Sequence, residues 1–135
     1  LRTLDVRLER HGKNALQVAE WLQGRPEVAK VLYPALPDDA GHAIWKRDFS
    51  GASGLFSILL KDADAAGAIR FVDALHHFGI GFSWGGYESL ALPCDPKSIR
   101  TATKWGGEQQ LIRLHIGLED PADLIADLEQ AFRAI

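Results

Sequence analysis

The sequence predicts an α+β fold: a mostly antiparallel sheet of about four to five strands with helices packed on one face. Three observations carry this. The hydrophobic pattern reads helix, strand, strand, helix, strand, strand, strand, helix, without the steady βαβα alternation that builds a parallel sheet. Two segments have clear strand character, the almost wholly apolar Leu55–Leu60 and the alternating Leu111–Leu118. The length, 135 residues, suits one domain. A domain of this size buries roughly 68–70% of its unfolded-chain surface and needs no covalent staple.

Taken in order, Leu1, Leu4, Leu8, His11, Ala15, Val18, Ala19 and Leu22 repeat at intervals of three and four and predict an amphipathic helix over residues 1–23. Gly24, free to take a left-handed cap, and Pro26, unable to continue a helix, end it. Val28 to Tyr33 is a short β-prone run stopped by Pro34 and Pro37. Residues 35–54 are rich in Gly, Pro, Asp and Ser and read as loop, with a helical turn around His42–Arg47. After the strand Leu55–Leu60, Asp62 is the expected N-cap of a helix whose stripe is Ala65, Ala68, Ile69, Val72, Leu75 and Phe78, ended by Gly79.

Ile80–Ser83 and Ser89–Leu92 predict short strands joined as a hairpin through Gly85-Gly86, and Pro96–Thr103 a short helix with proline in its first turn. In Leu111–Leu118 the residues Ile112, Leu114, Ile116 and Leu118 share one face, with Leu111, Arg113, His115 and Gly117 on the other. Asp120 caps the last helix, Pro121 takes its first position, Asp123 its early turn, and Leu124, Leu128, Phe132 and Ile135 its buried stripe. No repeat, low-complexity tract or interior boundary divides residues 1–135.

Composition excludes several classes. A net charge of −3 gives no electrostatic footprint for nucleic acid or an anionic membrane. No apolar run approaches the roughly 20 residues of a membrane span. Cys94 is the single cysteine, which rules out an internal disulfide and is compatible with a reducing compartment. The absence of methionine, and an opening Leu1-Arg2-Thr3-Leu4 with no capping residue ahead of it, predict a piece cut from a longer protein.

The segment Gly79–Gly86 admits several readings. As a dinucleotide loop it fails, because the third glycine comes one residue late and a helix precedes it. Gly81-Phe82-Ser83-Trp84-Gly85 matches the G-x-S-x-G nucleophile elbow, with Asp95 and His115 following in triad order. An elbow needs strand, tight turn and helix, whereas two glycines and a strand-like Tyr87–Leu92 follow Ser83. A small serine hydrolase is thus the sharp alternative and a glycine turn between strands the plain one. Arg113 stands mid-strand between apolar neighbours, where an unpaired guanidinium is costly to bury. It either pairs with an internal carboxylate, the commoner arrangement, or faces a cleft and grips an external one with its planar fork.

His11, His42, His76, His77 and His115 show no metal-ligand spacing, so no metal site is expected. Cys94 reads as a packed thiol, and Trp21, Trp45 and Trp105 as packing residues. Trp84 differs, because a large ring in a glycine turn must rest against something.

Three stretches together resemble one family, the pyridoxal-phosphate enzymes of cysteine and methionine metabolism. Arg7-Leu8-Glu9-Arg10-His11, Asn14-Ala15 and Val18–Leu22 are similar to the helix opening their C-terminal domain. Phe82–Leu90 resembles their substrate-side glycine turn, and Leu111–Asp120 with Asp123-Leu124-Ile125 their closing strand and helix. Gly41-His42 and Lys46–Gly51 fit as well, so the resemblance runs end to end. Ser83-Trp84-Gly85-Gly86 is closest to the bacterial cystathionine β-lyases, and Phe82 stands where γ-acting relatives commonly carry glutamate.

The resemblance implies the small C-terminal domain of a fold type I enzyme. It implies that Arg113 grips the substrate α-carboxylate and that Ser83 and Trp84 line the same pocket. The family's cofactor, pyridoxal 5′-phosphate, is an electron sink for the carbanion formed when Cα–H breaks, and a clamped carboxylate fixes Cα against it. The reaction implied is cleavage of cystathionine to homocysteine, pyruvate and ammonia, in methionine biosynthesis. The implied partners are an N-terminal pyridoxal-phosphate-binding domain of the same polypeptide, a homotetramer and a small amino-acid substrate, in the cytoplasm.

The departure lies in the lysines. Lys13, Lys30, Lys46, Lys61, Lys97 and Lys104 lie in no Ser/Thr-rich context like that of the family's cofactor lysine. The expectation is therefore no catalytic and no cofactor-binding residue in these 135 residues, and no activity for the chain alone. Another C–S lyase, a γ-synthase or γ-lyase, or a non-catalytic binding module are the alternatives.

Overall fold

The structure, a computed structural model, describes residues 2–135; Leu1, expected at the head of the first helical stripe, lies outside them. Four helices, α1 (Leu4–Gln23), α2 (His42–Asp48), α3 (Ala65–Asp73) and α4 (Pro121–Ala131), accompany five strands. The strands are β1 (Val28–Leu32), β2 (Leu55–Leu60), β3 (Gly79–Ile80), β4 (Leu90–Cys94) and β5 (Leu111–His115), in the sheet order β1-β2-β5-β4-β3. The β1–β2, β2–β5 and β4–β5 pairs are antiparallel, and only β3–β4 is parallel. The α+β architecture is as the sequence predicts.

Pleating sorts the two faces of the sheet. Register places Phe56 opposite Leu114 and Ile58 opposite Ile112, with Ala91 also opposite Leu114. These residues face the helices, in one core with Ala15, Val18, Ala19 and Leu22 of α1, Phe71 of α3 and Leu124 and Leu128 of α4. Fully burying one such side chain contributes roughly 1.5–3 kcal/mol. The short α2 buries none of its residues. On the opposite face Ser57 and Leu92 flank Arg113, and Leu55 and Leu90 flank His115.

Several local expectations are corrected. Gly24 ends α1 in a right-handed conformation, φ −83°, because a three-residue turn onto Trp21 O closes the helix without a left-handed residue. Asp64, not Asp62, caps α3, its carboxylate accepting from Gly67 N–H at 2.7 Å. The buried face of α3 is Ala68, Phe71 and Val72, so Phe71 is buried and Ile69 of the expected stripe stands exposed. Helix α3 also stops early. The buried Asp127 carboxylate of α4 accepts the backbone N–H groups of His76 and His77 at 2.7–3.0 Å, donors that a continuing helix needs for its own ladder. Pro96–Ser98 is only one 3-10 turn, and Ile135 is exposed beyond the last helical turn.

The hairpin is the largest correction. Because β3 runs parallel to β4, residues 81–89 cannot form a tight turn and must cross back to the start of β4.

Candidate functional site

The returning segment is held by side chains of β5 and by groups at its C-terminal end. Arg113 donates from Nη2 to Phe82 O at 2.6 Å and to Gly81 O at 3.3 Å, and its Cζ lies 5.7 Å from the centre of the Phe82 ring. Among the described residues it has no carboxylate partner, and its Nε and Nη1 donors meet no protein acceptor. The internal ion pair, one of the two readings of this arginine, is therefore absent. Arg113 is half-buried: its head is anchored to the loop by neutral carbonyls, with donors to spare.

Ser83 and Trp84 follow Phe82 directly and are both exposed, Trp84 to 64%. Arg113 thus meets their loop through backbone carbonyls and makes no hydrogen bond to Ser83 itself. The next residue, Gly85, has φ +80°, a left-handed conformation that glycine adopts at no steric cost. Its N–H donates to His115 Nε2 at 3.0 Å and its carbonyl accepts from Arg7 Nε at 3.1 Å. The remainder of the loop is pinned by Leu118 N–H on Tyr87 O at 2.8 Å and by Ser89, whose N–H and Oγ–H reach Glu119 Oε1 and Oε2 at 2.7 and 2.8 Å.

This network disposes of the serine-hydrolase constellation. His115 Nε2 is occupied by a backbone amide, and Asp95 accepts from Lys97 N–H in a local turn instead of orienting a histidine. Neither is arranged to activate Ser83.

Burial holds the pKa of both His11 and His115 below the ordinary histidine value; Arg7 adds to this for His11, and His11 and Arg113 add to it for His115, while the Gly86 backbone and Glu119 partly offset it at both rings. The two rings meet edge to face at 5.0 Å, and His11 is 1% exposed with neither ring nitrogen hydrogen-bonded. Burial likewise pushes the Cys94 thiol up, partly offset by Arg113. Sequence reasoning did not single out Arg7, His11, Asn14, Ser89 or Glu119 as site residues. All five lie inside the stretches that carry the family resemblance, which was the available signal. A separate groove of about 880 Å³ runs between α1 and the Trp45–Ala52 region, and none of Ser83, Trp84 or Arg113 lines it. Among the described residues no group of histidine, cysteine and carboxylate side chains could hold a metal ion. Among the described residues no helix is long and apolar enough to cross a membrane.

The comparisons with known proteins agree with one another. The model of the family "Cys/Met metabolism PLP-dependent enzyme" matches residues 1–133. A cystathionine beta-lyase of Bordetella avium is 52% identical over 97% of the chain and 33% of its own length. Cystathionine beta-lyase MetC of Escherichia coli is 50% identical over all of the chain and 35% of its own length. The chain thus spans about a third of these relatives. A Campylobacter jejuni crystal structure titled as an O-acetylhomoserine (thiol)-lyase superposes with TM-score 0.78 at 38% identity, over 97% of the chain and 30% of that structure's.

That structure holds a pyridoxyl-lysine monophosphate. The residues present here do not fit such a group. All six lysines are exposed, and Lys13, the one beside the groove, is paired with Glu9 at 2.6 Å. A Schiff-base lysine needs a pocket that desolvates its amine, and none of the six has one. With fold, motifs and a family match across residues 1–133 in accord, the chain belongs to the pyridoxal-phosphate-dependent enzymes of cysteine and methionine metabolism.

Proposed function

We propose that these residues form the single substrate-carboxylate-binding domain of a longer pyridoxal-phosphate-dependent carbon–sulfur lyase that cleaves cystathionine to homocysteine, pyruvate and ammonia. One observation carries this reading: Arg113 is tethered by the Gly81 and Phe82 carbonyls, has no internal carboxylate, and keeps unpartnered N–H donors beside the Ser83-Trp84 turn. An amino-acid carboxylate supplies the charge that this guanidinium lacks, and charge-assisted bonds of this kind are about twice as strong as neutral ones. Ser83 and Trp84 line the pocket in front of it. Gripping the carboxylate fixes Cα for the cofactor held by the rest of the enzyme, and positioning of that kind supplies several kcal/mol toward the barrier.

The β-lyase assignment is supported by Ser83-Trp84-Gly85-Gly86, by the apolar Phe82 beside Arg113, and by the similarity to the cystathionine beta-lyases of Bordetella avium and Escherichia coli. The whole enzyme is read as a cytoplasmic homotetramer whose N-terminal domain brings the cofactor. Assaying the full-length enzyme with cystathionine tests the reaction. Homocysteine with pyruvate supports it, while cysteine with a four-carbon oxo acid assigns a γ-lyase in its place. The 135-residue chain alone is expected to bind no pyridoxal phosphate. An aldimine absorbance band on titration, lost when one lysine is substituted, contradicts that.

A further inference from the structure

We infer that His115 is the positioning residue of the substrate loop, acting through the Gly85 amide without touching substrate; the inference rests on the carboxylate reading of Arg113. His115 and Arg113 are alternate residues of β5 and project from one face of the sheet. One strand therefore fixes both the guanidinium and the turn in front of it. The turn is gripped at the residue least able to hold itself. Gly85 has no side chain and sits at φ +80°, and its two backbone groups are taken by His115 Nε2 at 3.0 Å and Arg7 Nε at 3.1 Å. Ser83 and Trp84 lie between this grip and the Phe82 carbonyl on Arg113, so the loop is fixed on both sides of the residues that line the pocket.

To accept from Gly85, the His115 ring must be neutral, with its proton on Nδ1. Its surroundings favour the neutral ring: burial, His11 from α1 and Arg113 from β5 oppose a second proton, while the Gly86 backbone and Glu119 favour one, and Nδ1 is buried with no hydrogen-bond partner. Gly54 abuts the ring so closely that a Cβ there meets His115 Cε1 at 3.1 Å, so the ring has little room to turn away. Protonation converts the acceptor into a donor facing another donor, and the Gly85 bond is lost.

The test uses the full-length enzyme with three forms at position 115. His115→Phe keeps the ring volume and deletes the acceptor, while His115→Gln places a carbonyl oxygen at the reach of Nε2 and does not titrate. His115→Phe is expected to raise the substrate KM about tenfold with kcat changed less than about twofold. His115→Gln restores KM to within about threefold of the wild-type value. The wild-type KM rises on the acid side of the ordinary histidine range, and that rise is absent in His115→Gln. Hydrogen exchange across residues 81–89, which needs no activity, quickens in His115→Phe and returns toward wild type in His115→Gln. Unchanged exchange in His115→Phe, a His115→Gln variant as impaired as His115→Phe, or an acid rise that survives in His115→Gln overturns the inference. Exchange that responds as expected while KM stays flat, or Arg113→Lys without kinetic effect, overturns the substrate reading of the loop instead.

Discussion

Ser89 and Glu119 form a two-point latch: both oxygens of the Glu119 carboxylate are filled, one by the Ser89 N–H at 2.7 Å and the other by its hydroxyl at 2.8 Å. The hydroxyl oxygen in turn accepts Gly117 N–H at 2.9 Å, and Asn14 Nδ2 donates to the carbonyls of Gly117 and Glu119 at 3.1 and 3.0 Å. Strand β4, the end of β5 and α1 are thus tied together where the loop of residues 81–89 rejoins the sheet.

Ser89 is fully buried, so removing its hydroxyl strands Gly117 N–H and half of a carboxylate. Ser89→Ala is expected to cost about 1–3 kcal/mol, read as a lower urea midpoint with an unchanged m-value.

Gly117 admits no side chain. A Cβ built there lies 2.2 Å from Tyr87 O and 2.7 Å from the Glu88 carbonyl carbon, both backbone atoms of the loop. Gly117→Ala therefore displaces the loop itself. We expect lost stability in the chain and, in the full-length enzyme, a raised substrate KM. A wild-type KM in that variant contradicts any coupling between this crossing and the pocket.

Asp127 is a third buried anchor. Its carboxylate takes two backbone N–H groups that end α3, and Gln130 Nε2 at 3.0 Å. Asp127→Ala leaves those donors unsatisfied and is expected to destabilise by about 2–3 kcal/mol, measured by thermal or urea unfolding. Asp127→Asn, which keeps one acceptor, is expected to lose less.

The two histidine rings contribute to the pH dependence of stability near neutrality. Both pKa values are held below the ordinary histidine value, chiefly by burial. The unfolded chain therefore binds protons at a higher pH than the folded one, and stability falls as pH drops through and below about 6.5. Above that range both states are neutral and the contribution is complete. Unfolding free energy measured against pH is expected to decline on this limb. His11→Phe shallows the decline, since His11 has no hydrogen bond to lose. A limb unchanged by His11→Phe contradicts the assignment.

The fold was legible where the signal is local. Leu55–Leu60 begins and ends as its apolar run does, and Asp120-Pro121 opens α4 with the cap and first residue that helix starts require, Asp120 accepting from Ala122 N–H at 2.8 Å. What escaped was set by partners distant in sequence. The end of α3 is decided by Asp127, and a sequence reading limited to the stripe runs on to Phe78, which is buried from a turn and not from a helix. The hairpin was misread because glycines in Gly85-Gly86 suggest a tight turn, whereas β3 pairs in parallel and the loop is held by His115, Arg7 and Glu119. Arg113 was identifiable as a charge on a strand between apolar neighbours; only the structure shows that two loop carbonyls, and no internal carboxylate, meet it. His115 was placed on the correct face, but its pairing with His11 needs α1 packed beside the end of β5.

The central claim is that Arg113 holds the carboxylate of an amino-acid substrate. Steady-state kinetics of Arg113→Lys in the full-length enzyme test it most directly, because lysine keeps the charge and deletes the fork. The account predicts a raised KM and a kcat/KM about 10- to 100-fold below wild type. Wild-type kinetics in that variant contradict it.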